Sequence, residues 1–221
     1  SLKQRLQIIK ALRKQLPDFW QERLVFPHQP LEDTLLQSIP SGTKYILVGE
    51  EHNYSQIQVF LARFLQKYKQ QYPHQKVFLL TEFLPTGKNK TALLQHMKKA
   101  DGGYGYLLNR ASSWGITVKG LEARYVFFND AKAVLHLRNR YWPSQIQQLR
   151  EQYPDAVFII YAGAEHVSYN TPFNLTKALP QEELFVAHLF SSKSTNNEAR
   201  DLLDFLGEDK YPFYLEEILA W

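Results

Sequence analysis

The chain has 221 residues, 44% apolar and 14% aromatic, which excludes a disordered polypeptide and is enough to bury one domain's core without cross-links. It contains no cysteine, so disulfides, thiolate metal sites and cysteine nucleophiles are excluded, and the redox compartment is left open. A net charge of +4, spread over 26 basic and 22 acidic residues, is too dilute to argue for specific nucleic-acid binding, and no apolar run reaches the roughly 18 residues of a membrane helix.

In chain order, residues 2–16 come first. Leu2, Leu6, Ile9, Leu12 and Leu16 fall at helical spacing, and Lys3, Arg5, Lys10, Arg13 and Lys14 fall elsewhere on the wheel. This predicts an amphipathic N-terminal helix packed on the domain with a solvated basic face; peripheral membrane contact by residues 1–16 is the alternative. The chain opens at Ser1 without Met or a signal-peptide pattern, and the expectation is that any targeting segment lies outside it. After Pro17 a loop rich in proline and aromatics leads to a short helix over 31–39, and Pro40-Ser41-Gly42 turns into a first strand over 44–48.

The strongest helical pattern covers 54–71, with Ile57, Phe60, Leu61, Phe64, Leu65 and Tyr68 on one face and Ser55 near its start as a capping residue. Pro73 ends it before a strand over 76–81. Two weaker helices, about 89–99 and 104–112, are separated by Asp101-Gly102-Gly103, and the run Asp101-Gly102-Gly103-Tyr104-Gly105-Tyr106 reads by default as a flexible turn, with a lid as its functional reading. Residues 116–122 read as a third strand. A long helix over 129–152 is expected to break near Trp142-Pro143. Two more strands follow, over 156–162 and 183–190. Strands alternating with helices define an α/β domain, a largely parallel central sheet flanked by helices, occupying 1–221 as one unit.

One pattern occurs twice. The apolar run 45–48 passes into Gly49-Glu50-Glu51-His52, and the apolar run 156–162 passes into Gly163-Ala164-Glu165-His166. Such runs read as strands buried on both faces, and the glycine permits a sharp turn at the strand end. Each histidine then falls beyond a carboxyl end, where open α/β sheets place ligands. The run 76–81 ends in Glu82, which completes a His-Glu-His set of His52, Glu82 and His166.

These residues resemble the erythromycin esterase/ChaN-like superfamily, which includes the TraB and TIKI proteins, in motif and order across about residues 44–190. The resemblance implies an α/β sandwich with a cleft at the strand ends, lined by the two motif histidines and the acids. It implies hydrolase activity for several members, haem binding for ChaN, metal-dependent peptidase activity for the TIKI proteins and delivery into hosts for effector relatives. By position, Glu50 matches the family's Gly-Glu-x-His acid and Glu82 its strand-end acid. The chain is much shorter than the macrolide esterases and has no room for their helical lid.

The chemistry expected of the set is hydrolysis by activated water. Glu82 and one histidine would activate the water, and the other histidine would serve the leaving group or the oxyanion. Glu50 can orient a histidine or accept a proton. Arg124, just past the third strand, supplies a permanent cation suited to a carboxylate, a phosphate or an oxyanion, with Lys119 and Glu122 competing for a place at the same sheet edge. No Gly-x-Ser-x-Gly elbow is present, which argues against a serine hydrolase. The expectation is a hydrolase acting on an ester, amide or phosphoester in a small-molecule or peptide substrate, with no required cofactor. A divalent metal on the two histidines and carboxylates is the second chemical reading, and haem the third. The competing class is a non-catalytic ligand- or haem-binding protein, or a virulence effector secreted into a host cell, using the same cleft. His74, His96, His136 and His188 read as ordinary surface or core histidines, and Glu51 and Glu165 as solvated.

Overall fold

The computed structural model describes residues 24–25, 30–50, 55–85, 102–122, 131–167, 175–191 and 213–216. Within these residues seven strands form one sheet in which every neighbouring pair is parallel. In chain order the elements are β1 (Leu24–Val25), α1 (Leu31–Ser38), β2 (Tyr45–Glu50), α2 (Ser55–Gln71), β3 (Val77–Pro85), α3 (Gly102–Ser113), β4 (Thr117–Glu122), α4 (Ala131–Gln152), β5 (Val157–Gly163), α5 (Ala164–Val167), α6 (Leu175–Ala178), a 3-10 turn (Gln181–Glu183), β6 (Leu184–Ser191) and β7 (Phe213–Glu216). Their spatial order is β1-β7-β6-β2-β5-β3-β4.

The α/β reading therefore holds, and the runs read as buried strands lie in the middle of the sheet. Every residue of β2 and of β5 is buried, which requires cover on both faces. Period-two alternation divides the cover. Ile46, Val48, Leu79, Ile159 and Tyr161 pack under α2 and α3 with Ile57, Phe60, Leu61, Phe64, Leu65 and Leu107. Tyr45, Leu47, Phe78, Leu80, Phe158, Ile160 and Val186 pack on the opposite face with Trp142 and Ile146 of α4 and Leu175 of α6. All six residues assigned to the apolar face of the second helix are buried, each contributing about 1.5–3 kcal/mol of transfer free energy.

The topology places the site. From β2 the chain moves outward through α2, β3 and α3 to β4, and then returns by α4 to insert β5 between β2 and β3. Crossovers that keep one hand must change face when the chain reverses direction, which is why α2 and α3 lie on one face and α4 on the other. From β5 the chain continues the opposite way, to β6 beyond β2. The connections leaving β5 and its two neighbours thus diverge, and the carboxyl ends of β2, β5 and β3 form the switch point where such sheets hold ligands.

Three local expectations change. Helix α4 runs through Pro143 as one assigned element, so the break expected at Trp142-Pro143 does not occur. The helix expected over 104–112 is α3, with Tyr104 on it, and it starts at Gly102, so most of the run from Asp101 to Tyr106 also expected as a turn is its first turn. Strand β1, strand β7 and the short helices α5 and α6 were not anticipated; all are two to four residues long, below what periodicity can register. The N-terminal segment 1–16 and the helix expected over 89–99 lie outside the described residues. No helix among the described residues is long and apolar enough to cross a membrane.

Candidate active site at the carboxyl ends of the central strands

Glu82 is the centre of the described site. It follows Thr81, which pairs with Tyr161 of β5, and it enters a stretch where the pairing with β4 slips: Thr81 faces Gly120 but Pro85 faces Glu122. An irregularity of this kind re-aims a side chain at a strand end. The Glu82 carboxylate is 5% exposed. Its Oε1 accepts a 2.9 Å hydrogen bond from the Gly163 backbone N–H, and its Oε2 lies 3.1 Å from Nε2 of His166. Gly163 ends β5 and His166 belongs to α5, which begins at once after it, so the Gly-x-x-His turn delivers both partners to one carboxylate.

This arrangement fixes the histidine. A neutral imidazole donating Nε2–H to Glu82 carries its lone pair on Nδ1. On the other side the ring packs against Trp142 of α4, with centroids 4.4 Å apart at 40°. Arg138, one helical turn before Trp142, places Nη1 4.0 Å from Glu82 and Nη2 2.6 Å from Glu122. Glu122 thus anchors an arginine of α4, and Lys119, its neighbour on β4, is exposed.

Glu50 reaches the opposite face. It ends β2 in phase with Ile46 and Val48, the residues that pack under α2 and α3. There the Tyr104 hydroxyl donates to Glu50 Oε1 at 2.9 Å, and Gln58 of α2 hydrogen-bonds the same phenol. Burial pushes the Tyr104 phenol well above its ordinary value, and the Glu50 and Glu82 carboxylates add to the effect. The phenol is therefore a fixed donor across the whole physiological range. Phe83 and Tyr161 pack against its ring, at 4.4 and 5.9 Å between centroids.

Gly49 shows how tightly the strand end is closed. A Cβ there would lie 2.4 Å from Val167 Cγ2, 2.7 Å from His188 Nδ1 and 3.2 Å from the Ala164 Cα. The glycine of the first repeat is thus required by close approach of the second repeat's helix, not by a positive φ. His188, paired with Gly49 across β2 and β6, is fully buried. It is a core histidine at the edge of the site.

The structure brings Glu82 and His166 into contact and sets Glu50 across the strand ends from them. His52 and Arg124 lie outside the described residues. Three residues to which sequence reasoning gave no catalytic role, Arg138, Trp142 and Tyr104, line the same strand ends, and His188, read as an ordinary surface or core histidine, is buried beside them. Arg138 and Trp142 carry a usable signal, since their i, i+4 spacing puts an arginine and a large aromatic on one stripe of a helix. Among the described residues no group of three or more His, Asp or Glu side chains is placed to hold a metal ion, so Glu82 and His166 alone do not make up a metal site.

No protein-family model matches the chain, and no curated protein matches its sequence. Among solved structures it is similar to the type III effector HopBA1, at 17% identity over 74% of this chain and 84% of that one, with a TM-score of 0.57. At that identity the likeness shows the fold alone. FlhF complexed with GTP/Mg(2+) aligns at 14% identity over 84% of this chain and 62% of its own, but a TM-score of 0.41 carries no argument.

Proposed function

We propose that this protein is a hydrolase that activates water with the Glu82–His166 pair. The observation that carries the reading is the buried contact of Glu82 with His166 at 3.1 Å, with the carboxylate locked by the Gly163 N–H. Glu82 holds the ring with Nδ1 as the base. Nδ1 takes a proton from water, hydroxide adds to the electrophilic centre, and the bond to the leaving group breaks. The imidazolium then returns the proton to the departing oxygen or nitrogen. Every residue in this scheme belongs to the chain, and no cofactor is needed for the proton balance.

The reading agrees with the resemblance to the erythromycin esterase/ChaN-like superfamily, in which a strand-end acid and motif histidines line the cleft. With His166 returning the proton, His52 is left to serve the oxyanion, and Arg124 supplies a permanent cation suited to a carboxylate, a phosphate or an oxyanion. The test is a screen of aryl esters, amides and phosphoesters on the wild-type protein beside His166→Ala and Glu82→Gln. Turnover that falls at least about 100-fold in both variants supports the reading. Full turnover in either variant, or none on any substrate class in the wild type, counts against it.

A second reading, ligand binding without turnover, draws on the 5% exposure of both Glu82 and His166. A pair so enclosed also suits recognition, and an effector-type role secreted into a host belongs with this reading. Saturable binding with no product separates it from hydrolysis.

A further inference from the structure

Helix α4 carries two side chains that frame the Glu82–His166 pair. Arg138 and Trp142 are four residues apart and so share one helix face. Arg138 engages Glu122 and Glu82 through its terminal amines, and Trp142 lies against the His166 ring. Each keeps one buried N–H with no acceptor among the described residues: Nε of Arg138 and Nε1 of the fully buried Trp142. A buried donor left without an acceptor costs about 1–3 kcal/mol. Phenylalanine would fill the Trp142 position without that cost. Two such donors on one helix stripe, beside the candidate base, point to an oxygen atom that is present when the protein works.

We propose that Arg138 Nε–H and Trp142 Nε1–H receive the carbonyl oxygen of an acyl substrate and stabilise the oxyanion formed when hydroxide adds. The proposal rests on the hydrolytic reading and narrows it: the substrate is an ester or amide of a carboxylic acid, not a phosphoester. Charge decides between the two. The Arg138 cation is already shared by Glu122 and Glu82, so Nε offers a hydrogen bond and no uncommitted positive charge. The indole N–H is neutral. Such a pair fits a neutral carbonyl that gains charge only in the transition state. A phosphoester arrives already charged, and beside Glu82 this pair would offer it no uncommitted cation.

The test needs no known substrate. The chain has four tryptophans, Trp20, Trp114, Trp142 and Trp221, and their indole N–H signals can be followed by ¹⁵N NMR, with that of Trp142 assigned by its loss in Trp142→Phe. The wild-type protein is titrated with acetamide, a neutral carbonyl mimic of the acyl substrate, and separately with inorganic phosphate, both at constant ionic strength. Acetamide is expected to move the Trp142 signal saturably while the other three stay in place. Arg138→Lys, which keeps the charge but loses the Nε–H edge, weakens that response about tenfold. Phosphate leaves the signal unmoved. An unmoved Trp142 signal in wild type overturns the proposal, whether or not the variant folds, and so does an undiminished response in Arg138→Lys. A response to phosphate alone overturns the acyl assignment. A positive acetamide response with no turnover in the substrate screen would sink the hydrolytic reading but keep the donor pair as a carbonyl-binding site.

Discussion

On the α4 side of the sheet Glu82 meets an imidazole, and on the α2–α3 side Glu50 meets a phenol. The two carboxylates end neighbouring parts of the same sheet, are both buried, and differ by the parity of their strand positions. The partner decides what each can do. A neutral imidazole offers a donor at one nitrogen and an acceptor at the other, whereas the phenol between carboxylates keeps its proton throughout. Under the hydrolytic proposal the first face supplies the base, while on the second the phenol ties α3 to the end of β2. Acid residues at matching strand ends are not interchangeable, and a search for paired carboxylates alone would have treated them as if they were.

The comparison can be broken most severely at Glu82. Glu82→Ala removes the acceptor of the Gly163 N–H and of His166 together, and chemical denaturation should show a loss of about 2–6 kcal/mol, about 1–3 for each buried donor left without an acceptor. Gly49→Ala forces a methyl group into Val167, His188 and the α5 backbone, and should cost about 1–3 kcal/mol in the same assay. A neutral result there would mean that α5 can move away from β2. Tyr104→Phe removes the donor to Glu50 and should cost about 1–2 kcal/mol while leaving the tautomer of His166 unchanged by NMR. If that variant changes His166, the two faces are coupled and the division drawn here is wrong.

Two smaller effects sharpen the contrast between buried and exposed charge. Tyr68, at the α2 surface of the core, has its phenol pushed up to about 12 by burial, with Tyr72 adding to the shift. The folded state holds this proton to higher pH than the unfolded chain does. Stability is thus intact below pH 10 and should fall as pH rises from 10 towards 12, which melting curves followed with tyrosinate absorbance will register. Lys67 pairs with Asp33 at 2.6 Å between α2 and α1, with both side chains about one-third exposed. Lys67→Ala should cost less than about 1 kcal/mol.

Much of this was legible in the sequence because its signals are local. The apolar runs before Gly49 and Gly163 identified strands buried on both faces, and the helical stripe from Ile57 to Tyr68 identified α2. Glu82 and His166 could be paired in advance because each follows such a run. The division between Glu50 and Glu82 was also within reach, since Glu50 is in phase with Val48 and Glu82 with Leu80, but it needed the helices assigned to faces first. Tyr104 begins the helix read over 104–112, but its pairing with Glu50 was hidden, because only the packing of α3 against α2 and the strand ends brings phenol and carboxylate together. Arg138 and Trp142 were hidden by distance along the chain, because only the return of α4 across the sheet brings them to the ends of β3 and β5.

The measurement that tests the account most directly is the tautomeric state of His166, read from long-range ¹H–¹⁵N correlation of its ring above neutral pH. Nε2 should be protonated in the wild-type protein and donate to Glu82, leaving Nδ1 as the base, and Glu82→Gln should disturb that preference while Tyr104→Phe leaves it intact. A wild-type ring protonated at Nδ1, or one indifferent to the loss of Glu82, would contradict the claim that this pair is built to take a proton from water.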